Sequence, residues 1–145
     1  MNINFPQGSL PKFWLIGFLI TQPLGAMVRG ETQRPTLVKV PESVLRKLIS
    51  KFVMPDYPEG SRERGEQGVA VAEIQVNEAG ALTDVRMLEA PSDEIKDAVV
   101  NAIRQCKFRS GATDDGPVLM DGKLTFYFVI ENGRGTVKNP KKFKS

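Results

Sequence analysis

The chain has 145 residues, with 20 Lys and Arg against 17 Asp and Glu and a formal charge of +3. Its length suits one domain. Its apolar fraction of 41% and charged fraction of 26% are those of a globular chain rather than a disordered one. It has no histidine and one cysteine, which excludes most metal sites, every Ser-His or Cys-His nucleophile and any internal disulfide. No cofactor is expected. Much of the positive excess lies at Lys138, Lys141, Lys142 and Lys144, and no aromatic residues interleave a basic groove, so nucleic-acid binding is not expected.

Residues 1–30 read as a targeting segment. Lys12 precedes an apolar run, Phe13 to Ile20, that Thr21, Gln22 and Pro23 interrupt, and small residues follow at Gly25 and Ala26. A charged start, a short apolar run and small residues describe a secretory signal peptide, with a mature start near Met27 or Glu31. The competing reading is an uncleaved membrane anchor, the one membrane contact expected. Both place the rest of the chain outside the cytoplasm.

Residues 31–54 read as an extended linker, Glu31 to Lys39, and an amphipathic helix opened by Pro41. Val44, Leu45, Leu48, Ile49 and Phe52 make its apolar stripe, while Glu42, Ser43, Arg46, Lys47, Ser50 and Lys51 face away. Met54-Pro55-Asp56-Tyr57-Pro58 is a proline-pinned corner, and a short helix to about Arg64 follows.

From Gly68 to Ala90 the pattern is a hairpin. Ala70, Ala72, Ile74 and Val76 alternate with polar Glu73 and Gln75, Asn77 to Gly80 form the turn, and Val85 and Met87 share one phase of the second limb. Ser92, Asp93 and Glu94 then start a helix whose buried stripe is Ile95, Val99, Ala102, Ile103 and Cys106. Thr113 to Pro117 reads as a polar loop and Asp121-Gly122 as a turn. The cleanest alternation, Leu124, Phe126, Phe128 and Ile130, is the third strand, closed by Asn132-Gly133. Residues 134–145 read as a basic, disordered tail. Ile74, Val76, Val85, Val99, Ile103, Phe126 and Phe128 should be buried together.

Candidate catalytic groups are weak. Glu73 and Asp84 could in principle act as general bases, but both take the polar phase of strands, and neither has a partner carboxylate or nucleophile. No catalytic residue is assigned. Cys106 reads as a small buried apolar residue rather than a reactive thiol.

Taken in order, several features make residues 55–133 resemble the C-terminal domain of the TonB family. These are Tyr57-Pro58 before a short helix, Gly68 opening a strand, Asn77 to Gly80, the acid-capped helix, Cys106-Lys107-Phe108 and the final aromatic strand. The resemblance implies an α+β fold, a three-stranded antiparallel sheet with two helices packed on one face, to which the helix from Pro41 would be an extra N-terminal element. It also implies a periplasmic domain that grips an extended segment of an outer-membrane TonB-dependent transporter by β-strand addition. The final strand, Lys123 to Ile130, coming last and after a long loop, is expected to form the unpaired edge. Partner contacts are then expected from Met54, Pro55, Tyr57, Lys123, Thr125, Tyr127 and Val129. Two alternatives stand beside this one. The first is a complete energy transducer anchored in the inner membrane. Against it stand the absent histidine and a spacer, Glu31 to Met54, that extends at most roughly 80 Å. The second is a stand-alone periplasmic structural or dimerisation domain, since exposed sheet edges would allow a homodimer.

Overall fold

A computed structural model describes residues 35–140, so the targeting segment and the last lysines lie outside the described residues. The elements in chain order are β1 (Thr36–Lys39), α1 (Glu42–Leu48), β2 (Ile49–Lys51), α2 (Glu59–Glu63), β3 (Gly68–Val76) and β4 (Leu82–Glu89). They continue with α3 (Asp93–Gln105), β5 (Lys107–Phe108), β6 (Ala112–Thr113), β7 (Gly116–Glu131) and β8 (Arg134–Lys138). Among the described residues, no helix is long and apolar enough to cross a membrane.

The β3–β4 hairpin forms where the alternation places it. Asn77 Oδ1 accepts from the N–H groups of Ala79 and Ala81 at 3.0 and 2.9 Å, and Gly80 takes φ +82°. The Asn77 side chain thus holds the turn locally. α3 also starts as read: the Ser92 hydroxyl accepts from the Ile95 N–H, and Asp93 and Glu94 fill the first turn. A second tie joins α2 to α3. Ser61 Oγ lies 2.9 Å from Ser92 Oγ, and Arg64 spans Glu66 and Glu94. The Arg64 fork holds the Glu66 carboxyl down at about 2.

The main sheet has the order β1-β7-β3-β4, with β6 and β8 also paired to β7. The three-stranded frame β7-β3-β4 is antiparallel, as the family resemblance implies. Three strands outside that frame join it. The parallel β1 comes from the stretch read as linker, β6 reaches into the start of the stretch read as loop, and β8 comes from the stretch read as disordered tail. Side-chain volumes across the β3–β7 register explain the fit: Ala70 lies opposite Phe126, Ala72 opposite Leu124 and Ile74 opposite Gly122. Large residues on one strand fill the space small ones leave on the other. Leu45 of α1 and Ile95, Val99 and Ile103 of α3 cover this face. Six of the seven expected core residues are buried; Val85 is half-buried because β4 is an outer strand.

Two local readings need correction. The helix from Pro41 stops at Leu48 rather than running to Phe52. Ile49 leaves it at ψ 115°, the Leu48 carbonyl accepts from the Arg109 N–H at 2.7 Å, and Ile49–Lys51 pairs with β5. Only Leu45 of its apolar stripe is buried, and Val44 and Phe52 are exposed. Asp121-Gly122 is no turn but the middle of β7. Glycine stands there because a Cβ would lie 3.0 Å from Leu45 Cδ2 and 3.1 Å from the Val40 carbonyl, so it lets α1 approach the sheet.

Candidate partner-binding site

The outer side of β7, facing away from β3, was the expected unpaired edge. It is occupied. β1 pairs with Val118 to Asp121 and β8 with Tyr127 to Glu131. Between them, side chains of α1 take the place of a strand. Glu42 accepts from both the Thr125 N–H and the Thr125 hydroxyl at 2.9 Å, and Arg46 donates to the Thr125 carbonyl at 2.7 Å. The two side chains pair with each other at 2.7 Å across one helical turn. The expectation of a free edge along Lys123 to Ile130 therefore fails. A four-residue strand, an ion pair and a five-residue strand satisfy its backbone instead.

Sequence reading placed Glu42 and Arg46 on a solvent-facing stripe and missed this role. The available signal was their i, i+4 spacing beside a proline at the helix start. Arg46 does more than pair. Its guanidinium lies 5.8 Å from the Phe52 ring centroid and 5.7 Å from that of Phe126, and it donates to Asn139 Oδ1 at 3.2 Å. One cation thus ties α1 to β7, to the aromatic cluster and to the segment after β8. Glu42→Ala should leave the Thr125 N–H without its acceptor and Arg46 without its carboxylate. The expected loss is about 1–3 kcal/mol, measured by urea unfolding. A double-mutant cycle with Arg46→Ala should show strong coupling; additive losses would mean the two act separately.

The expected contact residues fall into three groups. Tyr57 packs edge-on to Phe128, with ring centroids 5.3 Å apart. It also packs closely against Gly135 of β8, where a Cβ would come within 2.6 Å of the ring. Its hydroxyl donates to the Glu66 carbonyl, and burial together with the Glu66 charge raises its pKa. Met54 beside it is exposed, but Pro55 is buried. Pro55 therefore positions its neighbours and offers a partner no surface. Tyr127 and Val129 take the opposite face of the sheet, where Tyr127 is exposed and Val129 half-buried. Lys123 also takes that face, directly across from Glu73, so it belongs to the charged middle of the sheet. Thr125 is held by α1.

Little here suggests reaction chemistry. Glu73 is paired with Arg86 on the open face. Cys106 is buried, its Sγ accepts from the Val53 N–H, and burial pushes its thiol pKa up, the opposite of what a reactive thiolate needs.

The candidate site thus lies along the outer side of one strand in a small α+β domain. The family model for the Gram-negative bacterial TonB protein C-terminal matches residues 53–130. The chain belongs to the TonB C-terminal family. It is 33% identical over 112 residues to Protein TonB of Vibrio cholerae serotype O1, covering 77% of this chain and 43% of that protein; the chain thus matches less than half of that relative's length. Among solved structures it is similar to the solution NMR structure of the Pseudomonas aeruginosa TonB CTD. The TM-score is 0.49 and the identity 24%, over 59% of this chain and 88% of that one.

Proposed function

We propose that this domain is a periplasmic protein-binding module of transport-related energy transduction, and that it takes an extended segment of an outer-membrane transporter by strand exchange on β7. One observation carries the reading. The outer side of the 16-residue β7 is tiled by short pieces, none of which matches its length. β8 is the replaceable piece. It has five residues, it follows β7 through a two-residue turn, and its three outward positions are exposed. A segment of another chain that displaced it would inherit the backbone partners of Tyr127, Val129 and Glu131. Tyr57 and Met54 would meet its side chains on one face, and Tyr127 and Val129 would flank it on the other. The cost of releasing β8 makes binding selective, because only a segment with favourable side chains repays it.

Hydrogen exchange with a peptide from a transporter's periplasmic N-terminus tests this. On binding, the amides of Tyr127 to Glu131 should stay protected while those of Arg134 to Lys138 lose protection. Deleting residues 134–145 should tighten binding several-fold, and a proline mid-peptide should weaken it by removing a ladder donor. A bound peptide that leaves the β8 amides protected, or indifference to that proline, would reject exchange at this strand.

A further inference from the structure

Where the chain passes from β1 into α1, a hollow of about 430 Å³ opens beside the middle of β7. Asp121, Lys123 and Thr125 form its β7 wall, Glu73 of β3 lies on one side, and Lys39 to Glu42 lie on the other. Two of its five charged groups are already engaged: Glu42 by Arg46 and Thr125, and Glu73 by Arg86. The other three are not. Asp121 is only 8% exposed, and its Oδ1 is shut off from solvent with no hydrogen-bond partner. Among the described residues it is the one buried side-chain nitrogen or oxygen in that state. Lys39 and Lys123 are exposed at the rim, and neither makes an ion pair among the described residues. Lys39 is the register partner of Asp121 on β1 and Lys123 is two residues along β7, so the three groups share one face of the sheet. Both cations are felt there: after the Arg86 hydrogen bond, their charges help to hold the Glu73 carboxyl below its usual range. A buried carboxylate oxygen without a donor is costly. One water takes about 30 Å³, whereas this hollow is in the range of small-molecule sites, roughly 300–1,000 Å³.

From this arrangement we propose that the hollow binds an α-amino acid group, with its ammonium on Asp121 and its carboxylate between Lys39 and Lys123. A simple cation would meet the two lysines, and a simple anion would meet Asp121, so each is repelled by part of the site. Among the described residues no three acidic or cysteine side chains are placed to hold a metal ion. A zwitterion answers both signs at once, through charge-assisted bonds at each end. Val40 and Pro41 in the wall leave apolar contact for a short side chain. The hollow shares no residue with the strand-exchange surface from Tyr127 to Lys138, so each proposal can fail without the other.

Titration calorimetry of the full chain, in detergent at low ionic strength, should show saturable binding of L-alanine. Alaninamide lacks the carboxylate and N-acetyl-L-alanine lacks the ammonium, so each should bind about tenfold more weakly or worse. Asp121→Asn, and Lys39→Ala combined with Lys123→Ala, should each weaken alanine binding by a similar factor. Nε-acetyl-L-lysine carries the same group on a longer stem. Tighter binding than alanine would assign the site to that group on a larger molecule, and weaker binding to a small free amino acid. Stability distinguishes this site from a purely structural Asp121. Asp121→Asn should melt no lower than the wild type, because the amide removes a buried charge that has no partner. Were Lys39 or Lys123 its structural partner, the same substitution would destabilise the chain. A destabilised Asp121→Asn, no saturable binding of alanine, or equal binding of alanine and alaninamide would each overturn the proposal.

Discussion

Phe126→Ala is expected to cost about 3–5 kcal/mol of unfolding free energy, at the upper end for a single apolar truncation. Phe126 is completely buried, and its opposite neighbour on β3 is Ala70, too small to fill the space. The Phe52 ring stacks on it at 6.4 Å, and the Arg46 guanidinium covers both rings. Truncation therefore leaves a cavity and also removes the surface on which the α1 cation rests. Urea unfolding should show the midpoint falling with the slope unchanged. A loss below about 1 kcal/mol would mean that the neighbours collapse into the site. Arg46 should become more mobile in the same variant.

Gly80→Ala is the second large effect, at about 2–4 kcal/mol from backbone strain and overpacking together. Gly80 holds φ +82°, and a Cβ there would sit 2.7 Å from the Phe108 carbonyl oxygen and 3.0 Å from the Ser110 nitrogen. Those are backbone atoms, so no rotamer change relieves the clash. The turn of the β3–β4 hairpin lies against the chain leaving α3, and the substitution would push the two apart. Gly65→Ala is the natural comparison, because Gly65 has φ +70° but nothing within 4 Å of its Cβ position. It should lose only the strain, about 1 kcal/mol. Equal losses at the two sites would show that the contact with Phe108 has no energetic weight.

The two glycines show how far a linear reading reaches. Gly80 was legible as a turn residue because its neighbours Asn77 and Ala79 break an alternation within the same few residues. Its contact with Phe108, 28 positions along the chain, has no local signature. Gly122 was misread for the same reason. Asp-Gly usually marks a turn, and only the approach of Leu45 and Val40 explains a glycine inside a 16-residue strand.

The candidate site follows the same division. The alternation from Leu124 to Ile130 located the strand that carries it, but the packing of Tyr57 on Phe128 of that strand had no local signature. The state of its outer side was not legible. Thr36 to Lys39 forms a strand only because Val118 to Asp121 lies beside it, about 80 positions away, and an isolated four-residue segment has no periodicity to read. β8 did leave a signal. Asn132 and Gly133 take φ +52° and +72°, the left-handed pair that tight hairpins favour, and Gly135 and Val137 continue the inward phase. The lysines that follow concealed it.

The sequence by itself determined what depends on neighbours within one element: the β3–β4 hairpin, the capped amphipathic α3, the aromatic strand and the family to which they belong. Those features arise from backbone sterics, capping and the periods of strand and helix, which act over a few residues. Tertiary structure alone decided how β7 is enclosed and which strands are left outermost. Such outcomes depend on pairing between distant segments, where a short piece of chain gains its hydrogen bonds only once the rest of the sheet exists. That is why Glu42 and Arg46, unremarkable on a helix surface, hold the middle of the sheet's edge. It is also why, among the described residues, the outermost strands are β4, β1 and β8, while β7 is enclosed.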